Sequence, residues 1–136
     1  MNKKLKKSTL HLLNIFLPLF TGFCIYLFSY GKIPFFEFFQ RLFGIVPLAA
    51  KSNLFLFARN YLCDAFWTYS MYFSLRCFSK NNFSLTSICI GTGLLLEILQ
   101  KIHFISGTFD YLDILFELIA VFTALSVNKF FLQKGE

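Results

Sequence analysis

Acidic residues are scarce in this chain. Seven Asp and Glu stand among 136 residues, all charged residues together make up 15%, and proline occurs three times. A soluble domain of this length needs far more polar surface to cover its core, so an aqueous globular fold is excluded. The four cysteines, Cys24, Cys63, Cys77 and Cys89, include no CxxC pair and all fall inside apolar runs. That excludes zinc-ribbon and dithiol spacing and makes a disulfide framework unexpected; no metal or cofactor motif is present. The nucleophile signature G-x-S-x-G is also missing, so nothing in the sequence decides whether the protein is an enzyme. No A-x-A-like cleavage site follows the first apolar run, which is longer than a signal-peptide core. A retained anchor is expected there.

What is present is apolar. Hydrophobic residues make up 57%, 21 of the residues are Phe, and mean hydropathy is +0.63. Lipid is the solvent that tolerates this composition. An α-helix needs about 20 mostly apolar residues to cross the hydrocarbon core, and it satisfies its own backbone there. Four stretches qualify, at about 10–30, 60–78, 83–100 and 112–132. Pro18 is a candidate kink in the first. Between the first two, residues 31–53 carry Phe35, Phe36, Phe38, Phe39, Leu42 and Phe43 at spacings of three and four, with Glu37, Gln40 and Arg41 among them. This pattern predicts a short helix lying in the membrane interface, bracketed by Pro34 and Pro47. The expected fold is therefore all-α: one integral membrane bundle of four transmembrane helices, with an interfacial helix between the first two. Short connections at 79–82 and 101–111, the second with Ser106-Gly107-Thr108 turn chemistry, make neighbours antiparallel.

The net charge of +6 does not point to nucleic acid. Lys3, Lys4, Lys6 and Lys7 abut the first apolar run directly, which reads as a juxtamembrane patch facing anionic lipid. With four spans both termini share a side. Placing them in the cytoplasm puts Lys3, Lys4, Lys6, Lys7, Arg76, Lys80, Lys129 and Lys134 inside, against Lys32, Arg41, Lys51, Arg59 and Lys101 outside. A multi-pass cell-membrane protein with both termini cytoplasmic is expected.

The scarce acids then converge. Asp64 falls about one turn into the second span from the outer side, Glu97 and Gln100 near the outer end of the third, Asp110 and Asp113 at the mouth of the fourth, and Glu117 one turn deeper. Asn60, Asp64, Trp67 and Met71 share one stripe, as do Asp110, Asp113 and Glu117. A charge within the bilayer costs roughly 3 kcal/mol or more, so such residues turn to the bundle interior. Arg59 and Lys101 are the nearest cations. Such a cluster suits a cationic or amine-bearing ligand, a divalent cation held by oxygens, proton relay, or general acid-base work. A hydrogen-bonded knot that fixes helix register is the plainer alternative. Trp67 is a candidate floor for the pocket, and Gly91 and Gly93 are candidates for close helix approach.

These motifs resemble those of the VanZ-like family of small bacterial membrane proteins. The matching residues are Glu97-x-x-Gln100 at the end of one helix, then a short loop, then Asp113 opening the next. Arg59-Asn60-x-x-x-Asp64-x-x-Trp67 is similar to a pattern in short members. Glu117 stands where Asn is usual, and the loop Arg has no counterpart between Gln100 and Asp110, as in a divergent member. The resemblance covers the last three spans. It implies a cell-envelope role associated with glycopeptide (teicoplanin) resistance, membrane lipid as surroundings, and an envelope component as possible substrate. Two other functions stay open: a proton- or cation-coupled transporter subunit, or a structural subunit of a membrane complex. Oligomeric state is not readable.

Overall fold

The computed structural model describes residues 3–29, 34–46, 53–105 and 108–133. They are helical apart from short turns and connections, with no β-strand among them. Helix α1 spans Lys3–Phe28 and continues through Pro18. It begins seven residues before the expected span, so the basic patch is its first turns rather than a flanking tail. Helix α2 is Pro34–Phe43 and α3 is Asn53–Phe57. A π-helical segment, Ala58–Leu62, joins α3 to α4, Cys63–Arg76. Helix α5 is Asn82–Lys101, and α6, Tyr111–Val127, runs on into a second π-helical segment, Asn128–Gln133.

Local chemistry accounts for the boundaries. The Asn81 side chain accepts from the backbone amides of Phe83 (3.0 Å) and Ser84 (3.4 Å), capping α5. Asp110 caps α6 in the same way, Oδ1 accepting from Leu112 N at 2.9 Å. These satisfy amides that have no partner inside the helix. Pro34 opens α2, where its missing N–H costs nothing. Gly44, with φ of +62°, closes it: Ile45 N donates back to Gln40 O at 2.8 Å. A left-handed residue just past the helix is where glycine carries no Cβ penalty.

Helix α4 is the centre of the bundle, with α1, α5 and α6 all packed on it. The core joins Tyr72 and Phe73 of α4 to Leu85 and Cys89 of α5 and Val121 and Ala124 of α6, all buried. Outward faces are apolar instead of polar: Leu12, Phe16 and Phe20 on α1, Leu95 and Ile98 on α5, and Ile119 and Phe122 on α6 are exposed. Surface of this kind belongs in lipid, not water. Among the described residues, three helices are long and apolar enough to cross a membrane: Ser8–Phe28, Asn82–Lys101 and Tyr111–Phe130. The expected span at 60–78 falls on the helical run from α3 through α4. That run carries Arg59, Asn60, Asp64, Thr68, Ser70 and Arg76, and it does not meet the same apolar criterion. Its central position explains the difference, since much of its surface meets protein rather than solvent.

Helix α2 folds back on the end of α1. Phe36 stacks on Tyr26 with centroids 5.3 Å apart, and Phe39 meets Phe23 edge-on at 5.8 Å. Buried Gln40 donates from Nε2 to Leu27 O (2.8 Å) and Ser29 O (3.2 Å), satisfying carbonyls at the α1 terminus. Phe35, Phe38 and Leu42 point away from the bundle, exposed. Lys32, Pro47, Lys51, Ser106, Gly107 and Lys134 lie outside the described residues.

Candidate functional site

Helices α4, α5 and α6 meet along one seam with polar groups at both ends. At the end near the α4–α5 turn, Tyr72 OH donates to Asn82 Oδ1 at 3.3 Å. Asn128 Nδ2 lies 3.3 Å from both Tyr72 OH and Asn82 Oδ1, and Arg76 donates to Asn82 Oδ1 at 3.1 Å. This clamp ties the three helices together, and its members are satisfied among themselves. The middle of the seam is the apolar core.

At the other end, near the α5–α6 loop, the acids gather. Asp110 is the hub. Its Oδ2 accepts from Tyr61 OH at 3.0 Å, and its backbone N–H donates to Glu97 Oε2 at 3.1 Å, while Oδ1 caps α6. One residue thus joins the π-helical segment, α5 and α6. Glu97 is 5% exposed. Glu117, one turn further in and 8% exposed, lays its carboxylate against the Cα of Gly93, where any Cβ would overlap it. Asp64 is within electrostatic reach of Glu97, and Asp113 and Glu117 of both. The expectation that α4, α5 and α6 deliver their carboxylates to one place therefore agrees with the geometry.

Among the described residues, three enclosed side-chain oxygens have no partner: Asp113 Oδ1 and the hydroxyls of Thr68 and Ser70, both 1% exposed. Thr68 sits one turn below Asp64 on the stripe that continues to Tyr72, which faces α5 and α6. That stripe places it at the depth of Gly93 and Glu117. Buried polar atoms normally find a partner in protein or ordered water.

The remaining residues are arranged less simply. Arg59 and Asn60 lie in the π-helical segment, Arg59 Nε donating to Asn60 Oδ1 at 3.1 Å, and Asn60 is exposed. A π-helical turn takes more residues than an α turn, so the stripe drawn through Asn60 and Asp64 at α spacing breaks. Tyr61, one position on, reaches Asp110 instead. Gln100 is half-buried at the end of α5, its carbonyl accepting from His103 N at 3.0 Å. Lys101 Nζ stands 5.0 Å over the Phe109 ring. Trp67 does not floor the acidic pocket: it is 40% exposed and lines a cavity of about 270 Å³ with Gly22, Tyr26 and Phe36, on the α1 side of α4. Gly93 makes room for a carboxylate rather than for a helix backbone, and a Cβ on Gly91 would meet nothing within 4 Å.

Among the described residues, no group of three or more His, Cys, Asp or Glu converges closely enough to hold a metal ion. The chain matches no known protein family, no characterised protein and no solved structure.

Proposed function

We propose that this is a four-span membrane protein of the VanZ-like type that binds a cell-envelope component at the outer leaflet. Both termini are cytoplasmic in this reading, α2 lies in the interface with Phe35, Phe38 and Leu42 in lipid, and α3 through α4 forms the second span. The helical run Asn53–Arg76 supports that span, since 24 residues at about 1.5 Å each reach on the order of 35 Å. The observation that carries the functional reading is the meeting of Asp64, Glu97, Asp113 and Glu117, with Asp113 Oδ1 enclosed and without a partner among the described residues. Excess negative charge with an unmatched acceptor suits a ligand that brings both positive charge and hydrogen-bond donors.

The resemblance of Glu97, Gln100 and Asp113 to the VanZ-like pattern adds the association with glycopeptide resistance. Conduction of protons or cations is the weaker alternative. Between the polar groups at the two ends of the seam lie Leu85, Cys89, Val121 and Ala124, all 1% exposed or less, and on α4 the buried hydroxyls of Thr68 and Ser70; no carboxylate stands among those residues. Glu97→Gln and Asp113→Asn, each expressed at wild-type level, test the reading. Loss of teicoplanin tolerance in cells that depend on the protein is the expected result. Unchanged tolerance in both variants would remove the functional role of the cluster.

A further inference from the structure

The three membrane-crossing helices share a boundary at the end of the bundle away from the acids. Ser8 begins the span in α1, Asn82 begins that in α5, and Phe130 ends the one that runs on from α6. Side-chain contacts hold these points at one level. His11 Nε2 stands 3.3 Å from Cys77 Sγ, which seats the start of α1 on the end of α4. The clamp of Tyr72, Asn82 and Asn128 ties that end of α4 to α5 and α6.

Cations mark this boundary on every element that reaches it. Lys3, Lys4, Lys6 and Lys7 occupy the first turns of α1, ahead of Ser8; Lys80 stands just before Asn82; Lys129 adjoins Phe130. The described carboxylates are all elsewhere: Glu37 is on α2, Asp64 opens α4, and Glu97, Asp110, Asp113 and Glu117 gather near the α5–α6 loop. Among the described residues, none of them meets Lys80 or Lys129, both exposed. Arg76 ends α4, where the helix dipole favours a cation, but the α1 lysines stand at a helix N-terminus, where it does not, and the first turn holds no acid to offset them. An anionic surface reverses that sign.

Apolar side chains stand among these cations. Phe78 is 90% exposed, Phe83 81% and Phe130 55%. Phenylalanine beside lysine fits a surface whose phosphates overlie hydrocarbon, whereas a soluble anion would leave the rings bare in water. The α4–α5 turn is also held in place. Arg76 donates to the Lys80 carbonyl and to Asn82 Oδ1, and Asn81 caps α5, so the backbone that carries Lys80 is fixed.

We infer that the first turns of α1, the α4–α5 turn and the start of the π-helical segment after α6 form one rim that selects anionic phospholipid. Headgroup phosphates meet Lys80 and Lys129, and the acyl chains lie against Phe78, Phe83 and Phe130. A basic tail alone would need only the α1 lysines. The fold adds cations distant in the chain at the same depth. This rim stands apart from the reading of the acidic cluster.

The test uses the full chain in phosphatidylcholine bilayers containing spin-labelled lipids, with the immobilised fraction read by electron paramagnetic resonance. Labelled phosphatidylglycerol should be retained about fivefold more strongly than labelled phosphatidylcholine with the same chains, the attraction that roughly one lysine supplies at a charged surface. Lys80→Gln/Lys129→Gln, with the α1 lysines intact, should lower that ratio by about half or more, and Lys80→Arg/Lys129→Arg should keep it. Both side chains are exposed, so neither pair of substitutions disturbs the packing. Inorganic phosphate, compared with chloride at equal ionic strength, should leave the ratio in place. A wild-type ratio near one, or a ratio untouched by the Gln pair, would overturn the inference. Displacement by inorganic phosphate would overturn it too, by assigning the rim to a soluble anion.

Discussion

Gly91 and Gly93 stand two residues apart on α5 and should respond to the same substitution with opposite signs. Replacing Gly by Ala inside a helix is ordinarily stabilising by about 0.8–1.0 kcal/mol, because glycine loses more backbone freedom on folding. A Cβ on Gly91 meets nothing within 4 Å, so Gly91→Ala keeps that gain. A Cβ on Gly93 overlaps the buried Glu117 carboxylate. The Glu117 side chain must leave its rotamer or the α5–α6 contact must open, and overpacking of this kind costs about 1–3 kcal/mol. After the propensity gain, Gly93→Ala should lose about 1 kcal/mol. Equilibrium unfolding in mixed detergent micelles, followed by circular dichroism, reads both variants under one condition. The double variant Gly93→Ala/Glu117→Ala removes the obstacle and should recover the loss, a coupling of about 1 kcal/mol or more. If Gly93→Ala behaves like Gly91→Ala, or if the double variant is additive within about 0.5 kcal/mol, Glu117 does not occupy the space beside Gly93 and the depth of the acidic site is wrong.

Two other outcomes follow from the same geometry. Tyr72→Phe removes the hydroxyl shared by Asn82 and Asn128 and should cost about 1 kcal/mol, the upper range for interhelical hydrogen bonds in membranes, with the acidic end unaffected; a thermal melt that does not move would mean the clamp contributes nothing. Gln40→Leu strips two donors from the α1 terminus and should loosen α2, seen as faster tryptic cleavage after exposed Arg41 with little change in global melting. An unchanged cleavage rate would show that α2 is held by its phenylalanines alone.

The helices were legible in the sequence where hydropathy alone decides them. The expected spans at 83–100 and 112–132 lie within one residue of the start of α5 and α6, because the apolar runs begin there; the caps, Asn81 and Asp110, were not read in advance. The acids' convergence was legible too, since antiparallel order and depth required no side-chain detail. Rotation about the helix axis was the part that failed. Reading Asn60 and Asp64 as one stripe assumes uniform α geometry, and the π-helical segment at Ala58–Leu62 voids it. Tyr61 was therefore missed although it is the donor to Asp110. Trp67 shares regular α4 with Asp64, and there the i+3 offset turned it to the α1 side while the i+4 position, Thr68, stayed on the side of Tyr72. Thr68 carried no sequence signal, because an isolated threonine in an apolar helix usually bonds its own backbone, as Thr92 and Thr123 do here. Its significance lies in the absence of that bond.

The π-helical segment also bears on how kinship to this chain would be recognised. A widened turn is what one inserted residue leaves behind in an α-helix. A cousin without the insertion would present the same carboxylate on an ordinary helix, and aligning the two would demand a one-residue gap inside a helical run, beside Asp64. Comparison schemes that forbid gaps in hydrophobic segments would shift the whole upstream half out of phase. Deleting one residue between Ala58 and Leu62 would recreate that ancestor-like form, turning everything before the deletion by about 100° relative to Asp64 while leaving the three-helix seam beyond it in place.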